Sequence, residues 1–156
     1  MNDESKINQS LIREVDWLRQ RISELEEELR ESEEKYQNIL ENIEDGYFEA
    51  DRAGDFTYFN PSFCRILGYK KEEIWGMNYK AVMDTENAKK VFQVFNEVYV
   101  TGIARKDIEW EVIRKDGIRT YIEVFISLIA RPGEKPTRFL GIGREITDRK
   151  RMEKKL

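Results

Sequence analysis

An apolar heptad that stops at Gly46 constrains most of what this 156-residue chain can become. With Leu11, Leu18 and Leu25 at d, the a positions fall on Asn8, Val15, Ile22, Leu29, Tyr36 and Ile43, and Ser32 and Ile39 continue d. Such 3–4 spacing gathers one apolar stripe on a helix, and β-branched residues at a with Leu at d favour a parallel two-stranded coil. The flanks agree. Glu14 at g faces Arg19 at e of a parallel partner, and Arg21 faces Glu26, whereas Glu28 against Glu33 and the polar Ser32 mark a weak stretch. A helix over 4–43 would run about 60 Å at 1.5 Å per residue. The expectation is a rod, residues 1–45, that pairs two copies through Leu11, Val15, Leu18, Ile22, Leu25, Leu29, Tyr36, Ile39 and Ile43. The competing reading is a single amphipathic helix folded back on its own domain, with Leu40 widening its apolar face.

Residues 1–45 hold 6 Lys/Arg against 14 Asp/Glu, residues 46–143 hold 15 against 14, and residues 144–156 hold 6 against 3. The main domain therefore shows no basic stripe of the kind a nucleic-acid binder carries, and the short basic end reads as a solvated helix face. No apolar run approaches the ~20 residues of a membrane span. The start, Met1-Asn2-Asp3-Glu4-Ser5-Lys6, lacks the apolar centre of a signal peptide. One cysteine, Cys64, permits no internal disulfide framework and suits a reducing compartment. The expected location is cytoplasmic.

From Gly46 to residue 147 the pattern is that of a small α+β domain. Tyr47 to Ala50 and Asp55 to Phe59 read as a hairpin around Asp51-Arg52-Ala53-Gly54. Asn60-Pro61-Ser62 breaks the strand and can cap a helix. Short helical pieces over Phe63–Leu67 and Lys71–Trp75 follow, and then a longer helix over Glu86–Tyr99 with Ala88, Val91, Phe92, Phe95 and Tyr99 on one face. Three strands close the domain: Ile108–Arg114, Arg119–Ala130 after the Lys115-Asp116-Gly117 turn, and Phe139–Ile146. The middle strand is apolar on both faces, so both faces need cover: helices on one, a partner or the N-terminal helix on the other. Residues 148–156 read as the start of a further helix with Met152 and Leu156 on one face, continuing in a longer native protein.

Four segments carry a resemblance. They are Asp45 to Asp51, Tyr58-Phe59-Asn60-Pro61-Ser62-Phe63-Cys64-Arg65-Ile66-Leu67-Gly68-Tyr69, the Arg114-Lys115-Asp116-Gly117 turn, and Gly141 to Lys150. Together they resemble a PAS sensory domain with its C-terminal signalling motif over about residues 33 to 150. One departure is Glu145, where the family usually has Asp. The resemblance implies a five-stranded antiparallel sheet in the order 2-1-5-4-3, helices over one face, a pocket between, and dimerisation through the N-terminal helix and the sheet's outer face. It also implies a position upstream of an effector such as a histidine kinase or cyclase, with Glu145, Ile146, Thr147 and Asp148 relaying motion into the following helix. Any catalytic activity would then lie outside this chain.

Within that family the chain lacks the histidine that typically holds haem. Phe63-Cys64-Arg65 is superficially like a flavin photoreceptor segment, but it lies one helix too early and lacks the flanking Asn and Gln; Cys64 reads as a small packed residue. Neither haem nor a photoactive flavin is expected. Candidate pocket residues are Phe48, Phe92, Phe95, Trp110, Ile122, Val124 and Ile142, with Asn78, Tyr79 and Lys80 at a possible mouth. Two functions stay open: a small-molecule-sensing module, or a ligand-free dimerisation and relay connector.

Overall fold

The computed structural model describes residues 2–130 and 132–146. The chain divides into two compact units, Met1–Ile39 and Leu40–Leu156. The expectations for Thr147, Asp148, Met152 and Leu156 fall outside the described residues.

The first unit is one helix, α1 (Asp3–Asn42), which runs on into the second. The side chains of Leu11, Val15, Leu18, Ile22, Leu25, Leu29, Tyr36 and Ile39 are 44–59 % exposed along it. Spaced charges support the helix itself: Arg21 pairs with Glu24, and Arg30 with both Glu27 and Glu34. Exposed pairs of this kind add only a few tenths of a kcal/mol each, about 0.3–0.5. The helix ends one residue before the expected last a position. Ile43 lies beyond Asn42, and its carbonyl is held by Ser62 Oγ at 2.5 Å.

The second unit is an antiparallel sheet of β1 (Gly46–Asp51), β2 (Phe56–Phe59), β3 (Arg105–Ile113), β4 (Arg119–Ile129) and β5 (Arg138–Glu145). The strand order is β2-β1-β5-β4-β3, as the resemblance implies. Between β2 and β3 come α2 (Pro61–Leu67), α3 (Lys71–Ile74), a 3₁₀ turn (Tyr79–Val82) and α4 (Thr85–Thr101). The 3₁₀ turn was not foreseen; Asn78 Oδ1 starts it by accepting from Lys80 N. Asp107, left-handed at φ 59, accompanies the register shift between Arg105 and Ile108 in β3.

Two helices, α2 and α4, are capped by side chains that also tie them to the sheet. Asn60 Oδ1 caps α2. At the other end of α2, Arg114 Nη1 donates to the carbonyls of Arg65 and Ile66, and Lys115 N to that of Leu67. The Arg114–Gly117 turn therefore serves as the C-terminal cap of a distant helix. Asp84 caps α4 through Asn87 N (2.8 Å), receives Asn87 Nδ2, and meets Arg119 Nη1 of β4 at 2.7 Å. Those donors, the Asn87 backbone first, hold its carboxyl down at about 2. Asn87 Oδ1 then accepts from Glu111 N, so the start of α4 is locked to β3.

The core-facing residues of α4 are Asn87, Val91, Val94, Phe95 and Val98. This corrects the expected face by one position: Phe92 is 63 % exposed. Val94 and Val98 take its place because the core-facing stripe follows positions 91, 94/95 and 98, the 3.6-residue repeat counted from Val91.

Candidate functional site

The sheet's inner face and the helices enclose an apolar cavity of about 30 Å³. Phe48, Phe95, Trp110, Ile122 and Tyr79 line it, all expected there, together with Phe56, Phe63 and Val91, which were not. Two aromatic groups build its walls. Phe48, Phe56 and Phe63 pack against one another at 5.0–5.7 Å between ring centroids. Phe95 packs on Tyr79, Trp110 and Phe139 at 5.6, 6.2 and 4.5 Å. Alternation along one strand did not show that α2 would supply Phe63 and β2 Phe56; both are brought in by the hairpin and the helix after it.

Three expected lining residues lie elsewhere. Val124 is buried in the core but does not reach the cavity. Phe92 stands outside it, on clefts at the surface. Ile142 is half-buried on the opposite face of the sheet, because its register partners Tyr47 and Phe125 point outward and Gly141 and Gly143 occupy the inner positions of β5. Gly141 has to be glycine: a Cβ there would lie 2.2 Å from Phe48 Cζ.

The cavity is dry in character, with one polar exception. Trp110, 2 % exposed, keeps its Nε1–H without a hydrogen-bond partner. An indole donor buried in this way is available to a small acceptor. Asn78 is not part of the lining. Its Nδ2 donates to Ala53 O and Asp55 Oδ1, fastening the 3₁₀ turn to the β1–β2 hairpin. Burial pushes the Tyr79 hydroxyl up. Cys64 lies half-buried in α2 against the core, and burial raises its thiol as well.

A second constellation joins the end of α1 to the sheet. Asn60, 1 % exposed, accepts at Oδ1 from Tyr47 N (2.9 Å) and Phe63 N (3.0 Å). Its Nδ2 donates to Leu40 O (2.7 Å) and Asp45 O (3.1 Å). Leu40 is itself buried, the one α1 residue so placed among those described. One amide thus satisfies one carbonyl in the last turn of α1, one in the loop beyond it, the entry of β1 and the first turn of α2. At the same end of the sheet, where β5 finishes beside the start of β1, Ile146 is buried and donates to Tyr121 O, and Glu145 Oε1 accepts from Thr120 Oγ1 at 3.0 Å.

A sheet in this order, closed on one face by four helical pieces around a small cavity, is the architecture of a PAS-type module. The model of the PAS fold matches residues 34–146, and the chain belongs to the PAS family. The signal transduction histidine-protein kinase AtoS of Escherichia coli (strain K12) is 35 % identical over 71 residues, 46 % of this chain and 12 % of its own. The sensor histidine kinase TmoS of Ectopseudomonas mendocina is 23 % identical over 138 residues, 88 % of this chain and 14 % of its own. This chain therefore spans only 12 % and 14 % of the length of those relatives. Among solved structures, the PAS domain of the HTR-like protein from Haloarcula marismortui superposes with a TM-score of 0.67 at 27 % identity, covering 80 % of this chain and 99 % of that one. No described helix is long and apolar enough to cross a membrane.

Proposed function

We propose that this chain is the sensory and dimerisation module of a signal-transduction protein of the sensor-kinase kind. In this reading two copies pair in parallel through the α1 stripe, in the cytoplasm, and a conformational change passes through the flanking helices to an effector. The observation that carries it is the Asn60 junction: a buried amide bonded to Leu40 O cannot shift without moving Tyr47 and Phe63. Homology to sensor kinases and the exposed heptad of α1 support the same reading. The module holds neither haem nor a photoreactive flavin, a view supported by the absence of histidine and by the place of Cys64 in α2.

The test is a chimera. The chain is fused in heptad register after Leu156 to the dimeric catalytic part of a histidine kinase, and autophosphorylation is compared for Asn60 and Asn60→Asp. Aspartate keeps the acceptors for Tyr47 N and Phe63 N but sets a carboxylate oxygen against two carbonyls. A changed kinase level at unchanged dimer mass supports relay through this junction; equal activity removes it.

The small cavity favours a second reading, a ligand-free connector, since about 30 Å³ holds little more than a water. Native mass spectrometry separates the two, because a sensing module purified from cells carries added mass in at least part of the population or acquires it on ligand addition.

A further inference from the structure

A separate cleft of about 320 Å³ lies where the β1–β2 turn, the 3₁₀ turn and α4 meet. Five rings form its walls: Tyr79, Phe92, Phe95, Tyr99 and Phe139. Its charged groups are Arg52 and Lys80, and no carboxylate lines it. The arginines of β3, β4 and β5 each meet an acid: Arg105 with Glu97, Arg119 with Asp84, Arg138 with Glu49, Arg144 with Glu123. Arg52 does not. Its guanidinium carbon rests 4.1 Å from the centroid of Tyr99, which positions the group and leaves its N–H donors unspent. Lys80 likewise meets no acid among the described residues. Phe92 adds the third anomaly, since α4 completes its core face without it and leaves the ring 63 % exposed beside these cations.

We propose that this cleft binds a small aromatic carboxylate. The ring of the ligand lies against Phe92 and Tyr99, and its carboxylate is held by Arg52 and Lys80. An arginine fork matches two carboxylate oxygens at once, and the volume falls in the range of small-ligand sites. Uncharged aromatics would leave both cations unpaired; aliphatic anions would leave Phe92 in water. Tyr79 and Phe95 line this cleft and the interior cavity alike, so they are the partition between the two. A ligand seated outside therefore presses on Phe95, whose ring packs against Trp110. Regulation through that wall rests on the sensory reading; binding itself does not, and it is measured without an effector.

The full chain, labelled with ¹⁵N, is titrated with benzoate, phenylacetate and indole-3-acetate, and in parallel with benzyl alcohol and acetate. Saturable shifts are expected at the amides of Arg52, Lys80, Phe92 and Asn96 for the carboxylates that carry a ring. Benzyl alcohol and acetate should bind roughly ten-fold more weakly or worse. Arg52→Gln with Lys80→Gln, both exposed and hence compatible with the fold, should weaken binding by about ten-fold or more while the spectrum stays dispersed. Arg52→Lys should recover part of it. The proposal is overturned if none of the three ring carboxylates saturates, if the double variant binds them unchanged, or if the shifts centre on Trp110 and Ile122 in the interior.

Discussion

Asn60 Nδ2 lies 2.7 Å from Leu40 O, across twenty residues of sequence, and this bond fastens the end of α1 to the loop that starts α2. The same side chain caps α2 and pairs with Tyr47 N, so it is a shared node of three elements. Asn60→Ala should cost about 3 kcal/mol, because it removes a helix cap and strands buried backbone groups. Asn60→Asp keeps both acceptor contacts but should also destabilise the domain at neutral pH, because its second oxygen faces two carbonyls, and should loosen the last turn of α1. Urea unfolding gives the first quantity, and amide exchange at Asn42, Ile43 and Asp45 the second. Equal stability of all three proteins would remove Asn60 from this role.

Gly141→Ala should destabilise the domain by about 1–3 kcal/mol through overpacking. The added methyl would meet the Phe48 ring, which Phe56 and Phe63 hold from the other side. Phe48→Leu in the same chain should recover part of the loss. Thermal melts of the single and double variants check the coupling, and simple additivity would contradict it.

Acid should release the start of α4. The Asp84 carboxyl is held below its ordinary value of 3.8, at about 2, so its folded state binds a proton less readily than its unfolded state. Its contribution is therefore full above about pH 4 and disappears as pH falls through about 2. Asp84→Asn keeps a capping oxygen but loses the charge facing Arg119. The melting difference between the two proteins should be largest near neutral pH and close to zero at pH 2. A difference that grows on acidification would contradict this.

Ile22→Glu combined with Leu25→Glu should convert the protein from dimer to monomer without unfolding the residues from Leu40 onward. Both side chains are about half exposed in the single chain, so the change removes a pairing surface and nothing inside the domain. Light scattering at tens of micromolar reads the mass, and near-ultraviolet dichroism the intact core. A monomeric parent protein would end the dimer reading.

Protein grown with haem and flavin available should show a featureless visible spectrum. A Soret band, or a flavin band that bleaches in blue light, would contradict the cofactor reading.

The α1 stripe, the β1–β2 hairpin, the Lys115–Gly117 turn and the strand order were legible in the sequence, since each depends on local periodicity, on turn residues or on family motifs. So were Phe48, Phe95, Trp110 and Ile122 as residues of one cavity. The sequence misplaced Phe92 and Ile142 because each stands next to a buried residue, and a helix face or a strand face turns on a shift of one position. In β5 the choice was made by glycine: Gly141 leaves room for the Phe48 ring, and that need cannot be seen until the strands are paired. The Asn60 node was read locally, as a cap, because the twenty residues between it and Leu40 give no sign that they meet. Only the tertiary structure brought Arg52 and Lys80 to one cleft with Phe92, since a hairpin turn, a 3₁₀ turn and a helix converge there through contacts that no local pattern encodes.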